Sequence, residues 1–256
     1  MTTLMEPGHD IATLLKSFRL PTAAAEMAKR LREADCDDAI DVVREVLEAE
    51  RDDRWQRRVQ RLLYSSRLPR DKTFDSWEHT HLPLPLSRQL RELARGDFVD
   101  EATNLLAFGL PGTGKTHGMC AVGHELVRRG RSVLFSPTFR IVQDLLVAKR
   151  DLELARALKK LDKYDLLILD DIGYIKHEAD EIEVLFTLLA ERYERRSVAI
   201  TSNLTFKDWD QIFRNPMTTA AAVDRLVHHS VILEFAVPSY RMEHCNPTAG
   251  EGATNA

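Results

Sequence analysis

Eight consecutive residues constrain the fold of this chain more than any other feature: Gly109 to Thr116, which read GLPGTGKT. They fit the pattern G-x-x-x-x-G-K-[ST] and lie between an apolar run, NLLAF, and a predicted helix. Glycines let backbone N–H groups wrap a phosphate, and the helix that begins near Lys115 points its positive end at the same place. We therefore predict a P-loop, in which Lys115 faces the terminal phosphates and Thr116 ligates Mg²⁺. The predicted nucleotide-binding residues are Gly109, Pro111, Gly112, Thr113, Gly114, Lys115, Thr116 and His117.

The P-loop belongs to a region of short apolar runs that alternate with helical segments. The runs are NLLAF, SVLFS, LLILD, SVAITS and VILEF. This alternation predicts an α/β fold with a five-stranded parallel sheet that is covered by helices on both faces. We assign residues 97–243 to this P-loop domain and residues 244–256 to a disordered tail.

The first 72 residues are helical in pattern, with breaks at Pro21 and Asp37. We expect a small all-helical domain there, in which Trp55 and Tyr64 are anchored in the core. Residues 73–96 are rich in Pro, Ser and His in their first half, which favours a linker.

Two acidic residues follow the third apolar run, at the carboxyl end of the predicted strand LLILD. Apolar residues that lead into acids at this position are typical of a Walker B element, so Asp170 is predicted to hold Mg²⁺ and Asp171 to orient or deprotonate the attacking water. The fourth strand ends in Thr201, Ser202 and Asn203, where ligands bind in open parallel sheets. Asn203 is the residue that we expect to sense the γ-phosphate or to position water.

Composition excludes several classes of protein. The net charge of −4 provides no global positive field toward nucleic acid, so DNA binding has to come from local patches. The three cysteines are widely spaced and are expected to be reduced thiols. No apolar run is long enough for a membrane span and no secretory signal is evident, so we expect a cytoplasmic protein without a membrane partner. His228 and His229 are adjacent and would face different sides of a helix, which argues against a shared metal.

Six segments, in their order and spacing, resemble the IstB family of insertion-sequence transposition helper ATPases, relatives of the DnaC helicase loaders within the AAA+ class. The segments are GLPGTGKTHG, LLILDDIGYI, RYERRS, ITSN, AAVDRLVHHS and SYR. The P-loop is generic, whereas DRLVHHS and RYERRS are specific to the family. The resemblance covers nearly the whole chain and implies an AAA+ fold without a C-terminal lid.

The resemblance also implies a function. It implies a Mg²⁺-dependent ATPase that forms homo-oligomers on duplex DNA without strong sequence specificity and assists the transposase of the same element in target selection. The ATP site is then shared between subunits, with Arg225 as the arginine supplied by the neighbour. The alternative trans arginines are Arg192, Arg195, Arg196 and Arg214.

The chain between the second and third strands is long enough for two helices and resembles the initiator-type insertion of AAA+ loaders. Its candidate phosphate contacts are Lys149, Arg150, Arg156, Lys159 and Lys160. The arginine-rich stretch from Arg51 to Arg70 is a second candidate surface for DNA, the transposase or another subunit. Two other functions stay open: a helicase loader that prefers single-stranded DNA, and a DNA scaffold in which nucleotide only rigidifies the oligomer.

Overall fold

The computed structural model describes residues 10–77, 82–174, 178–205, 208–209, 224 and 226–240. Within it the chain divides into two compact units, residues 1–61 and 62–256, and the division falls inside a single long helix. Each unit has its own core. In the described ranges, no helix is both long and apolar enough to cross a membrane.

The first unit contains helices α1 (Ile11–Ser17), α2 (Pro21–Glu33) and the first part of α3 (Asp37–Ser66). Pro21 starts α2 because the missing N–H of proline costs nothing in a first helical turn. Ile11, Leu15 and Ala24 form the buried centre of this unit. The expected core positions of Trp55 and Tyr64 are wrong: Trp55 is 44% exposed and Tyr64 is 88% exposed. Both belong to an exposed, charged helix that leaves those positions uncovered.

The second unit confirms the predicted five-stranded parallel sheet, with strand order β2-β3-β4-β1-β5. The three crossovers that connect β1 through β4 are helical, which places helices on both faces of the sheet, as parallel strands require. The strands are β1 (Asn104–Phe108), β2 (Val133–Pro137), β3 (Leu166–Asp170), β4 (Ser197–Ser202) and β5 (Ser230–Glu234). The helices are α4 (Leu84–Leu93), α5 (Asp97–Asp100), α6 (Lys115–Arg128), α7 (Thr138–Arg150), α8 (Leu154–Leu161) and α9 (Ala179–Arg192).

The segment 73–96, predicted to be a linker, contributes to the core of the second unit. It contains α4, whose Leu86, Leu90 and Leu93 are buried, and α4 packs against α6. Pro85 and Ser87 lie in the first turn of α4, where proline is tolerated, so a proline- and serine-rich composition did not exclude a helix. After β5 the structure describes residues 235–240 only, so the predicted absence of a lid and the predicted disordered tail stay predictions.

Candidate nucleotide-binding site

The loop between β1 and α6 has the backbone of a phosphate cradle. Gly109, Gly112 and Gly114 all have positive φ angles, which L side chains rarely adopt. A Cβ atom on Gly109 would lie 2.7 Å from the carbonyl oxygen of Phe235, so a side chain there would also clash. Gly114 precedes the first residue of α6, so the N–H groups of the first turn, which have no partner within the helix, lie at the loop.

The ammonium group of Lys115 folds back over the loop. Its Nζ donates to the carbonyl oxygens of Gly109 at 2.7 Å and Leu110 at 2.8 Å. These neutral acceptors are weaker partners than a phosphate oxygen for a charged donor. Lys115 is therefore placed to exchange loop carbonyls for phosphates.

The hydroxyl of Thr116 meets the carboxylate of Asp170 at the neighbouring strand. Thr116 Oγ1 donates to Asp170 Oδ1 at 2.7 Å, and Thr201 Oγ1 donates to the same oxygen at 2.8 Å. The two predicted Mg²⁺ ligands thus lie together beside the loop. Hydroxyl and carboxylate oxygens are hard ligands that suit Mg²⁺, so the donor set fits the metal.

Asp171 has an unusual backbone and a carboxyl with one unsatisfied oxygen. Its φ is 57°, and its N–H donates to Thr201 Oγ1 at 2.8 Å. In the described part of the chain its Oδ1 is buried with no hydrogen-bond partner. Burial, and then the neighbouring charge of Asp170, raise the pKa of the Asp171 carboxyl above its usual value. A strained, partly desolvated acid beside a phosphate cradle is typical of a group held for chemistry.

The sequence analysis selected Asn203 from the polar residues at the end of β4, and the structure places Thr201 and Asn203 there in different surroundings. Thr201 is buried and joins Asp170 to the backbone of Asp171 through a single hydroxyl. Asn203 is exposed, and its Oδ1 lies against the backbone of Gly173. Thr201 is the residue in contact with the acidic pair, whereas Asn203 lies beside the loop that follows Asp171.

A cleft of about 250 Å³ adjoins the loop. Its lining consists of Lys72, Ser76, Trp77, Leu82, Val237, Pro238 and Tyr240, together with the P-loop residues Gly112 to His117. The backbone N–H of Tyr240 donates to the carbonyl of Gly112 at 3.1 Å, which fixes the chain after β5 at the loop. Segments from before β1 and after β5 therefore complete this site.

Trp77 forms one wall of the cleft. Its ring stacks on His117 with centroids 4.8 Å apart, and a Cβ on Gly118 would lie 2.9 Å from it. His117 Nε2 is 2.9 Å from the carbonyl oxygen of Thr73, and burial lowers the pKa of this imidazole. A neutral His117 at neutral pH therefore donates to Thr73 and holds Trp77 against α6.

The arginines proposed as trans contacts fall into two groups. Arg225 and Arg214 lie outside the described residues. Arg192 is 1% exposed and donates to the carbonyls of Leu161, Tyr164 and Ser197, so it clamps its own chain. Arg195 pairs with Asp162 at 2.7 Å, and Arg196 pairs with Asp165 at 2.6 Å. Internal partners thus account for the three arginines of the RYERRS segment.

The candidate DNA contacts on α7 and α8 also differ in their partners. Lys149 Nζ lies 2.9 Å from both Asp180 and Glu183 of α9, which raises the pKa of its ammonium group. Arg150 pairs with Asp151 at 3.7 Å, and Arg156 pairs with Glu153 at 3.4 Å. Lys159 and Lys160 are exposed on the last turn of α8, and they take part in none of the ion pairs between described residues.

Part of the arginine-rich stretch is paired within α3. Arg54 pairs with Glu50, Arg57 pairs with Asp53, and Arg51 pairs with Asp52. Such exposed pairs are weak individually, and they reduce the local positive field without cancelling it, because the stretch holds seven arginines. The stretch is therefore a less basic surface than its arginine count indicates.

Comparison with known proteins adds a family match over most of the chain. The family model described as IstB-like ATP binding protein matches residues 12–247. A protein of Sinorhizobium fredii, named as an insertion sequence ATP-binding protein, is 42% identical over 234 residues, which cover 90% of this chain and 78% of that protein. The insertion sequence IS21 ATP-binding protein of Pseudomonas aeruginosa is 39% identical over 77% of this chain and 74% of its own length.

Solved structures share the fold. The DnaC helicase loader superposes with a TM-score of 0.55 at 17% identity, covering 64% of this chain and 97% of that one. DnaI superposes with the same TM-score at 18% identity, covering 67% of this chain and 95% of its own. At these identities the likeness is evidence for the AAA+ fold alone.

Proposed function

Because the chain belongs to the family of IstB-like ATP binding proteins, we propose that it hydrolyses ATP with Mg²⁺ while assembled on duplex DNA and assists the transposase of the same element. The observation that carries this proposal is the junction of Thr116, Asp170 and Thr201 beside the P-loop. A protein that only bound nucleotide would need the cradle and Lys115. It would not need a second, partly buried acid next to the metal ligands.

The roles of the residues follow from their positions. The backbone of Gly112 to Thr116 binds the phosphates, Lys115 neutralises the terminal phosphate oxygens, and Thr116 and Asp170 hold Mg²⁺. The metal draws charge from the phosphates when it is bound. Asp171 orients or deprotonates the attacking water, because its buried Oδ1 has no hydrogen-bond partner among the described residues and lies next to the proposed metal ligands. Asn203 contacts that water or the γ-phosphate from the end of β4.

The adenosine half of ATP occupies the cleft beside the loop in this proposal. The Trp77 ring, Pro238 and Tyr240 are among the residues that line the cleft. Its mixture of one large aromatic surface and a few polar groups is the composition expected of a site for a flat base. Trp77 and His117 thereby couple base binding to the start of α6.

The catalytic site is completed by Arg225 of a neighbouring subunit in this proposal. The internal partners of Arg192, Arg195 and Arg196 favour Arg225 over those three residues. An arginine that reaches developing phosphoryl charge in this way accelerates hydrolysis by about 10³ to 10⁵ in the GTPase cases. Hydrolysis then requires an oligomer, because each site needs an arginine from the neighbouring subunit.

The DNA surface is assigned chiefly to Lys159 and Lys160 on α8. Arg150 and Arg156 are neighbouring cations whose single, exposed partners can exchange for phosphates. Contacts of this kind give affinity without sequence readout. Duplex DNA of any sequence is therefore the expected ligand.

Mixing two inactive variants tests the shared site. Arg225→Ala and Asp171→Asn should each bind ATP normally and hydrolyse it at least about 10³-fold more slowly than the wild type. An equal mixture on duplex DNA should recover part of the rate, because some interfaces then pair an intact Asp171 with an intact Arg225. Arg195→Ala, the matched control, should hydrolyse ATP at the wild-type rate. A mixture that stays inactive, or a loss of activity with Arg195→Ala, would contradict the proposal.

A further inference from the structure

Two turns meet at the amino ends of β4 and β5, at the opposite end of the sheet from the P-loop. One precedes β4 and carries Tyr193 and Glu194, and the other precedes β5 and carries His228 and His229. The expectation that the two histidines face different sides is wrong, because they lie in a turn after the helix has ended. Their rings are in edge contact, with centroids 4.3 Å apart.

Asn104 ties the two turns to the sheet. It is 7% exposed, and its backbone N–H donates to the carbonyl of His229 at 2.7 Å. Its side-chain amide donates to Leu226 and accepts from the N–H of Val198 at 2.9 Å. Asn104 thus holds the chain before β5, at Leu226 and His229, and the start of β4, at Val198.

The turn before β4 is fixed as well. The buried guanidinium of Arg192 donates to the carbonyl of Ser197 at 2.9 Å, and the N–H groups of Arg195 and Arg196 both return to the Arg192 carbonyl. Within this turn, Glu194 has a φ of 55°, a left-handed conformation that is uncommon for a residue with a side chain. The fold therefore maintains Glu194 in a defined place.

The side chains converge to the geometry of a metal site. One nitrogen from each histidine and one oxygen of Glu194 all lie within 4.8 Å of one another. His229 Nε2 is 3.7 Å from Glu194 Oε1. In a tetrahedral zinc site with bonds of about 2.0–2.1 Å, neighbouring ligand atoms are about 3.4 Å apart. Small rotations of three exposed side chains bring the set to that spacing.

We propose that Glu194, His228 and His229 bind a borderline divalent metal ion, for which Zn²⁺ is the probe. Imidazole nitrogens with one carboxylate suit Zn²⁺ rather than Mg²⁺, which prefers oxygen ligands throughout. The hydroxyl of Tyr193 lies 3.2 Å from His228 Nδ1. When Nδ1–H donates to this hydroxyl, the lone pair of Nε2 is left for a metal ion, an arrangement common in zinc sites. A bound ion would join the turn before β4 to the turn before β5.

The test is calorimetric titration of Zn²⁺ into the full chain without an affinity tag, metal and nucleotide, followed by Co²⁺ absorption spectra. We expect one saturable site per chain and the visible absorption of tetrahedral Co²⁺. His229→Gln and Glu194→Gln should each weaken Zn²⁺ binding roughly 10- to 100-fold. Tyr193→Phe should weaken it by roughly tenfold at unchanged stoichiometry, an effect that a simple His–Glu ion pair would not produce.

Two controls separate this site from the phosphate site and from unfolding. Asp170→Asn, which alters the proposed Mg²⁺ site, should leave Zn²⁺ binding unchanged. The thermal midpoints of metal-free His229→Gln and Glu194→Gln should match the wild type, because both side chains are exposed. No saturable Zn²⁺ uptake by the wild type, or uptake that is equally strong in the His229→Gln and Glu194→Gln variants, would overturn the proposal.

Discussion

Thr116 and Asp170 are 54 residues apart in sequence, and the hydroxyl of the first donates to the carboxylate of the second at 2.7 Å. This contact joins the start of α6 to the end of β3. Thr201 donates to the same carboxylate oxygen from β4, so three segments of the sheet domain converge on one atom. The chemistry of a bound nucleotide is therefore expected to depend on groups at this junction and in the adjoining cleft.

Lys115→Ala should weaken ATP binding by roughly 10- to 100-fold. A hydrogen bond to a charged partner is worth about 1.5–3 kcal/mol, and here the ammonium exchanges the neutral carbonyls of Gly109 and Leu110 for the phosphates. Calorimetric titration of ATP measures the change in affinity, with Lys163→Ala as a control for removing a lysine elsewhere. ATP binding by Lys115→Ala at wild-type affinity would contradict the P-loop role.

Asp171→Asn should stop hydrolysis and leave ATP binding intact, since the substitution keeps the shape and removes the base. In the wild type the ionised carboxylate is the active form, and its pKa is raised by burial and by Asp170. Activity should therefore fall on acidification at a higher pH than the usual aspartate pKa of about 3.9 implies. A pH–rate profile of single-turnover hydrolysis measures the pH at which this activity is lost.

The same pKa shift predicts a change in stability without nucleotide. A carboxyl whose pKa is higher in the folded state than in the unfolded state destabilises the fold once pH exceeds both values. Asp171→Asn removes that cost and should raise the thermal midpoint at neutral pH. The gain should shrink as pH falls through the raised pKa of the folded state, and it should be absent below the unfolded pKa of about 3.9. A variant less stable than the wild type at neutral pH would argue against a desolvated Asp171.

Trp77→Ala should weaken ATP binding about tenfold or more, because it removes a wall of the cleft and the ring that packs on His117. Stacking of a base on an aromatic side chain is worth about 1–3 kcal/mol in nucleic-acid complexes. Trp77→Phe keeps an aromatic face and should retain most of the affinity. Titration with ATP and with inorganic triphosphate separates base binding from phosphate binding: equal reductions in affinity for both would contradict the assignment of the base to this cleft.

Lys159→Ala with Lys160→Ala should weaken duplex binding and flatten its salt dependence. Removing one phosphate contact changes the slope of log K against log salt by about 0.9. Lys149→Ala is the matched control, and it should leave the slope unchanged because Asp180 and Glu183 already neutralise that lysine. Fluorescence anisotropy over a salt series measures both slopes, and a larger effect from Lys149 would reverse the assignment.

The sequence was sufficient for the strands and for the phosphate loop because both depend on local pattern. NLLAF and LLILD coincide with β1 and β3, since a buried parallel strand is an uninterrupted apolar run. Lys115, Thr116 and Asp170 are fixed by motifs whose spacing reflects the loop itself. Within each of these two motifs, neighbours in sequence are also neighbours in space.

Other parts depended on contacts that no local pattern contains. Thr201 meets Asp170 only because β3 and β4 pair in register, whereas the sequence alone favoured Asn203 at the polar end of β4. Trp77 reaches the P-loop from a segment that composition made look like a linker. The sequence indicated Lys149 as a DNA contact, but in the structure two carboxylates of α9 lie beside it. His228 and His229 converge because the helix ends before them.

The central claim is that ATP drives assembly of this chain on duplex DNA. Sedimentation velocity of the protein with random-sequence duplex measures it directly, with ATP, a slowly hydrolysed analogue or ADP in parallel and an equal length of single-stranded DNA for comparison. The account predicts large complexes on the duplex with either triphosphate, and small ones with ADP. Complexes of the same size with every nucleotide, or complexes that form preferentially on single strands, would contradict it.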